Sequence, residues 1–229
     1  PGVNIGLGSL AAGVVQVAVS YGEGDALASL DNTDTIHVSS FARAQADGEG
    51  DVAVANAEAA GVAQIAATIY GENATVDLTN TSMDSIDVHS TAEAFGWAAH
   101  ADGYGFGVAQ IAVAYSTDGT ASASIVNSGR ISADISGYAY GTYEAYAEAN
   151  AAGAEQFVLS GAVADAYIDN SGLIEATASG TADSYFEQAS GSARAQGALQ
   201  HALADSFGPQ YPGYIADATL LDPLLIVTG

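Results

Sequence analysis

The chain is patterned by a two-residue alternation of small apolar and polar positions. In residues 144–151, alanines occupy every second position and alternate with Glu144, Tyr146, Glu148 and Asn150. Side chains of a β-strand point alternately to opposite faces, so the pattern predicts strands with one Ala-rich face. Ala and Glu also favour helices. Segments such as ASIVNSGRISADIS, however, place β-branched residues around an Asn-Ser-Gly turn, which favours strands.

Two short phrases recur with one period of about 47 residues. The first, exemplified by GVAQIA, contains the Gln markers, at intervals of 48, 46, 46 and 44 residues: Gln16, Gln64, Gln110, Gln156 and Gln200. The second, exemplified by IVNSGRI, contains the Asn markers, at intervals of 48, 47 and 43 residues: Asn32, Asn80, Asn127 and Asn170. Because the two phrases stay in phase, each period indicates one structural unit.

These patterns predict an all-β fold, a parallel β-solenoid (β-helix) that forms a single domain over residues 1–229. About five repeats precede a degenerate C-terminal rung over residues 207–229. We expect one wide, flattened, Ala-rich coil per period, and two coils of about 23 residues are the alternative. The Asn and Gln markers would then form structural ladders, in which each side-chain amide donates to the next.

Composition predicts a thin interior and limits the partners. Only 12 Tyr, 6 Phe and one Trp occur among 229 residues, and the absence of Cys excludes disulfides and thiolate sites. The net charge of −24, with 27 acidic residues against three arginines, excludes nucleic acid and disfavours anionic lipid. Membrane insertion is not expected, since no apolar run approaches the roughly 18 residues of a membrane span.

The sequence predicts no catalytic residue and therefore no enzyme. A lyase acting on acidic polysaccharides would need basic side chains, yet Arg43 and Arg194 lie at different distances from their Asn markers and would not stack. Acidic residues are numerous, but no pair stands out from the repeat as an acid and base couple. Four histidines share no phase and are interpreted as surface residues: His37, His89, His100 and His201.

Gly-rich loops that carry carboxylates two residues apart are candidate calcium sites, because several oxygens could face one hard cation. The residues concerned are Glu23, Asp25, Asp47, Glu49, Asp51 and Asp102. The loops do not match known calcium-loop motifs, and we interpret them as solvated tips that keep the protein soluble. No cofactor is required, and calcium binding is the alternative interpretation.

Both ends of the chain are apolar and lack the polar cap that a solenoid usually needs. The predicted assembly residues are Val3, Ile5, Leu7, Leu220, Leu221, Leu224, Leu225 and Ile226. Head-to-tail stacking through these ends would give a filament, because such heterologous contacts do not close. The alternative is a fragment of a longer solenoid.

The NSGRI and NSGLI turns, the Ala-alternating strands and the GVAQIA strand resemble the repeats in β-helical passengers of bacterial autotransporters and haemagglutinin-like surface proteins. The resemblance extends from about Gly13 to Gly191. It implies export to the cell surface or the extracellular space and a stalk-like, adhesive or scaffolding role. We therefore expect a non-enzymatic structural protein whose partner is another copy of itself. The alternatives are an adhesin that binds glycans or a host surface through loops or tyrosine columns and, less favoured, a carbohydrate-active β-helix enzyme.

Overall fold

The computed structural model describes residues 3–204, 215–221 and 225–228, the last two ranges as backbone. Within these ranges there is no helix, and so none that could cross a membrane. The strands are β1 (Asn4–Ser20), β2 (Ala26–Asn32), β3 (Ile36–Gln45), β4 (Val52–Thr68), β5 (Asn73–Asn80), β6 (Ser85–Ala114), β7 (Thr120–Asn127), β8 (Arg130–Ser160), β9 (Val163–Asn170), β10 (Leu173–Ser184), β11 (Gln188–Ala204), β12 (Ile215–Leu221) and β13 (Leu225–Thr228). The all-β prediction is confirmed.

The strands form two sheets in which every described pairing is parallel. The larger sheet has the order β1-β4-β6-β8-β10-β13, with β3 also paired to β6 and β11 to β8. The smaller sheet has the order β12-β9-β7-β5-β2. Since neighbouring strands in both sheets are never consecutive in the chain, each pairing joins residues that are distant in sequence.

Equivalent phrases of the sequence lie beside one another in these sheets. Gln16 of β1 is opposite Gln64 of β4, and Asn32 of β2 is opposite Asn80 of β5. The same register continues through β6, β8 and β11 in the larger sheet and through β7 and β9 in the smaller sheet. Because side chains alternate along a strand, this register assigns each repeated residue to the same face of its sheet.

Most buried apolar side chains are alanines, and most of the larger ones are concentrated in one region. Strands β3, β4, β6 and β8 contribute alanines to a buried cluster that contains only alanine, including Ala55, Ala101 and Ala147. The larger side chains gather in a second cluster, at which the two sheets meet: Val62, Leu78, Ile86, Val108, Ile125, Ile131, Ile168 and Ile174. Small side chains let opposing backbones approach closely, so the fold tolerates few large residues inside.

A column of glycines lies where β4, β6 and β8 pass the cluster of larger buried side chains. A Cβ atom added to Gly107 would lie 2.5 Å from Cγ2 of Ile131 and 2.6 Å from the carbonyl oxygen of Gly153. Gly61 and Gly153 are similarly enclosed by backbone and isoleucine atoms. The GVAQ-type phrase therefore begins with glycine because there is no space for a side chain.

We expect Gly107→Ala to lower the free energy of unfolding by about 1–3 kcal/mol, because the added methyl group overpacks this contact. Gly6→Ala is the matched control, since nothing lies within 4 Å of a Cβ atom at that position. Urea denaturation followed by circular dichroism measures both changes. Equal stability of the two variants would contradict the packing argument.

Candidate functional site

The Gln markers form a column of hydrogen-bonded amides in the interior. Gln64 Nε2 donates to Gln16 Oε1 at 2.9 Å, and Gln110 Nε2 donates to Gln64 Oε1 at 2.9 Å. Gln156 and Gln200 extend the column at 2.8 and 2.9 Å. Each Gln also donates to a carbonyl oxygen of the smaller sheet, as Gln110 does to Ser124 at 2.9 Å. The column therefore ties successive strands together and joins the two sheets.

The Asn markers form a second column at the ends of the smaller sheet's strands. Asn32 Nδ2 donates to Asn80 Oδ1 at 2.8 Å, Asn80 to Asn127 at 2.7 Å, and Asn127 to Asn170 at 2.6 Å. All four side chains are buried. Buried amides that satisfy one another in this way avoid a cost of about 1–3 kcal/mol for each group that would otherwise lack a partner.

Both amide columns are more exposed to solvent at β1 and β2 than at β4 and β5. Asn32 Oδ1 accepts no hydrogen bond from any described residue, and Gln16 is half-exposed. The predicted assembly residues Val3, Ile5 and Leu7 are exposed on the same side. The first strands thus present interior-type side chains to solvent.

The predicted assembly residues near the C-terminus are described in part. Leu220 and Leu221 pair with Ile168 and Asp169 through the backbone, and Leu225 and Ile226 pair with Ile174 and Glu175. Their strands, β12 and β13, lie at the opposite edges of the two sheets from β2 and β1. Leu224 lies outside the described residues.

The carboxylates predicted for calcium make separate local contacts. Asp25 Oδ1 accepts hydrogen bonds from the backbone and side-chain nitrogens of Asn73, at 3.0 and 3.1 Å. Asp51 accepts from the backbone of Gly48 at 3.0 Å and of Val3 at 2.7 Å. These two carboxylates therefore hold loops in place.

The remaining members of that set are spread over the surface. Asp47 accepts from Gln45, Asp102 pairs with His100 at 3.1 Å, and Glu23 and Glu49 are exposed. In the part of the chain that the structure describes, no three His, Asp or Glu side chains are grouped to hold a metal ion. Calcium binding stays a prediction from the sequence.

A polar network lies on the outer face of the larger sheet. Asp87 accepts hydrogen bonds from Ser85 and Ser132, both at 2.7 Å, and Arg130 lies 3.7 Å away. Burial raises the pKa of Asp87, but the two serines and the Arg130 charge outweigh burial and hold that pKa below its usual value. The network joins β6 to β8 through hydrogen bonds and an ionic contact.

Two histidines on this face lie closer together than their sequence phase suggests. The rings of His37 and His89 are 5.4 Å apart, because Ser39, two residues after His37, is the register partner of His89. Both side chains are exposed, and His89 lies 3.7 Å from Asp134. Residues at different positions of the repeat can therefore be in contact, because diagonal neighbours on adjacent strands also meet.

An aromatic cleft on the larger sheet, beside the turn between β3 and β4, was missed by sequence reasoning. Its cavity has a volume of about 430 Å³. The lining residues are Gln45, Ala46, Asp47, Gly48, Glu49, Phe95, Gly96, Trp97, Tyr140 and Thr142. Trp97 belongs to no repeated phrase, and that singularity is the signal that could have indicated it.

Comparisons with models of protein families, with curated proteins and with solved structures found no match.

We expect Gln110→Leu to lower the free energy of unfolding by about 2–3 kcal/mol, because it leaves the amides of Gln64 and Gln156 and the Ser124 carbonyl without this partner. Gln16→Leu is the matched control. It removes one bond of the column in a half-exposed position, so its cost should be about 1 kcal/mol or less. Urea denaturation at equal protein concentration compares the two, and equal losses would argue against the column as a source of stability.

The lowered pKa of Asp87 predicts a pH-dependent contribution to stability. A carboxyl group whose pKa is lower in the folded state stabilises the fold above its unfolded-state pKa, and this stability is lost as the pH falls through the folded-state pKa. Asp87→Asn should therefore lower stability at pH 7 by a few tenths to about 1 kcal/mol, with the difference from wild type shrinking as the pH falls below about 4 and the carboxylate becomes protonated.

Asp118→Asn, in an exposed turn between β6 and β7, is the control for this experiment. Thermal unfolding of the three proteins between pH 3 and pH 8 measures the effect. A difference between wild type and Asp87→Asn that stays constant over this range would contradict the role assigned to the carboxylate.

Proposed function

We propose that the chain is a non-enzymatic structural protein, a β-solenoid subunit of an extracellular filament or surface stalk that stacks head to tail. The proposal is supported most directly by the edge strands at the two ends of the described structure. The resemblance to autotransporter passengers supports the same class of function. No cofactor is part of the proposal.

The strand registers support the solenoid. Paired Gln markers are 48, 46, 46 and 44 residues apart, and paired Asn markers are 48, 47 and 43 residues apart. A chain that returns to the same place in both sheets once in each period is wound as one wide coil, which favours this arrangement over two coils of about 23 residues.

The described edge strands of the two ends match in number and order, and two of the three pairs match in length. At one end β1, β2 and β3 each pair on one side, with β4, β5 and β6, and at the other end β11, β12 and β13 pair with β8, β9 and β10. β1 and β11 each contain 17 residues, and β2 and β12 each contain 7. In the proposed filament, β1 of one copy pairs with β11 of the next, β2 with β12 and β3 with β13.

The side chains of the first coil suit a covered position. Ile5 and Leu7 occupy the register of Ala53 and Ala55, which are fully buried in the following strand. Exposed strand edges with apolar interior positions are templates for further pairing, and a second copy of the chain would supply that pairing.

The charge distribution supports growth along one axis. With a net charge of −24, two copies repel one another when they approach side by side. End-to-end contact places apolar residues and backbone groups at the interface. Salt that screens the surface charge should therefore lengthen filaments.

An adhesin that binds carbohydrate or a host surface is the second candidate function. It is favoured by exposed aromatic side chains that lie in the corresponding turn of successive coils, at Tyr21, Tyr70 and Tyr115. A carbohydrate-active enzyme is the third candidate and the least supported one. Binding of the fluorescently labelled chain to glycan-coated surfaces would distinguish the adhesin from a purely structural subunit.

We expect the wild-type chain to form uniform filaments that lengthen with protein concentration in negative-stain electron microscopy. Leu7→Lys should give short single-subunit rods, because it places a charge at an inward position of the stacking face. Sedimentation velocity over the same concentrations gives an independent measure of length. Parallel samples with and without calcium test the predicted cation dependence.

Leu10→Lys is the matched control, since Leu10 lies on the same strand but on its outer face. The two leucines are 52% and 75% exposed, so both substitutions should leave the fold intact. Leu10→Lys should still form filaments. A homogeneous wild-type monomer at high concentration, or filaments of Leu7→Lys as long as those of wild type, would overturn the proposal.

A further inference from the structure

We propose that the aromatic cleft beside Trp97 binds an uncharged oligosaccharide. The cleft lies beside the turn between β3 and β4 and is formed by a single chain. Binding there therefore does not require subunits to stack. It gives the adhesin alternative a specific site and a ligand class, and the experiment below tests it separately from surface adhesion in general.

The cleft exists because neighbouring edge turns differ in length. The pairs Gln45 with Phe95 and Val52 with Ala98 are connected by residues 46–51 on one side and by Gly96 and Trp97 alone on the other. The longer turn overhangs the shorter one. Its shape is maintained by Asp51, which accepts the backbone N–H of Gly48 at 3.0 Å, and by Gly50, whose φ of 80° favours glycine. The cavity is therefore bounded by a turn of defined shape.

Three aromatic rings form the apolar part of the wall. Trp97 stacks on Tyr143 with ring centroids 5.6 Å apart and an interplanar angle of 8°, which fixes the orientation of the indole. A hydrogen bond to Glu187 and the negative charge of that residue raise the pKa of Tyr143. Phe95 and Tyr140 line the cavity beside Trp97. Aromatic faces are electron-rich and attract the positively polarised C–H groups on the face of a pyranose ring.

The polar part of the wall suits hydroxyl groups. Asp47 and Glu49 bring carboxylate acceptors, and Thr142 brings a hydroxyl group that can donate or accept. Gln45 Nε2 donates to Asp47 at 2.8 Å, which holds that carboxylate at the mouth. A few polar groups set among aromatic rings, in a volume within the range of about 300–1,000 Å³, are typical of a small-molecule site.

Electrostatics select the class of sugar. Two carboxylates in the loop and a net charge of −24 disfavour sialic acids, uronates and sulfated sugars. Phe95 already carries the Arg43 guanidinium, 4.8 Å from its ring centroid, so part of the aromatic surface is occupied by a cation of the chain itself. A neutral ring with hydroxyl groups on its edge and C–H groups on its face fits the remaining surface.

The single Trp of the chain makes the test specific to this cleft. Fluorescence excited at the red edge of the indole band reports on Trp97 and not on the 12 tyrosines. Titrations with cellotetraose, maltotetraose and N-acetylchitotetraose should show a saturable change in emission with at least one of them. Sialyllactose and tetramethylammonium are the charged comparison ligands, and neither should saturate the signal in the same range. Low protein concentration and low salt keep the chain unstacked.

Tyr140→Ala should raise the dissociation constant of the bound sugar by about tenfold or more, as the loss of an aromatic anchor commonly does. Tyr146→Ala is the matched control. The two tyrosines lie on the same strand and are 40% and 44% exposed, but Tyr146 lies on the other side of the edge turn, outside the cleft. Calorimetry with the same sugar also covers Trp97→Ala, which lacks the fluorescent reporter.

A saturable response to a neutral oligosaccharide that weakens in Tyr140→Ala and persists in Tyr146→Ala would support the assignment. No response to any of the three neutral sugars, or saturation with tetramethylammonium or sialyllactose alone, would overturn it. Unchanged sugar affinity in both Tyr140→Ala and Trp97→Ala would also overturn it and would leave carbohydrate adhesion to another surface of the protein.

Discussion

The buried amides of the Gln and Asn columns impose the constraint on which the rest of the structure depends. In an interior of alanine methyl groups, an amide has few partners except the same amide on the neighbouring strand and the carbonyl groups of the facing sheet. A shift of one residue would turn Gln110 to the outer face, and a shift of two would separate it from Gln64. Satisfying these groups therefore holds the strands that contain them in register with their neighbours.

Fixed register has a consequence for the outer surface. Once the inner positions align, outward residues of neighbouring strands form columns, which brings Asp87 beside Ser132 and His37 beside His89. The edge turns are not bound by the interior pattern and can differ in length. Where the turn at residues 46–51 is longer than the one at Trp97, a cleft opens without any change in the stack. The residues of the turns can thus vary while the buried positions repeat.

The same constraint is the basis of the proposal that the chain stacks end to end. Each coil pairs its backbone with the next and presents an equivalent edge at the end of the stack, so a further coil always finds a suitable template. Acidic side chains cover the outside, where they oppose lateral aggregation, and interior-type residues such as Leu7 lie on the end face. The proposed filament and the proposed sugar site use different surfaces and are compatible in one molecule.

The sequence by itself determined the strands, their parallel arrangement and the residues that stand beside one another. This was possible because alternation and a repeated buried amide are periodic signals that can be read along the chain. Tertiary structure decided which surface residues meet: the hydrogen bonds of Asp25 and Asp51, the contact of His37 with His89, and the cleft at Trp97. The cleft arises between strands whose turns differ in length. The other contacts involve side chains that lie outside the repeated phrases, so the period does not contain them.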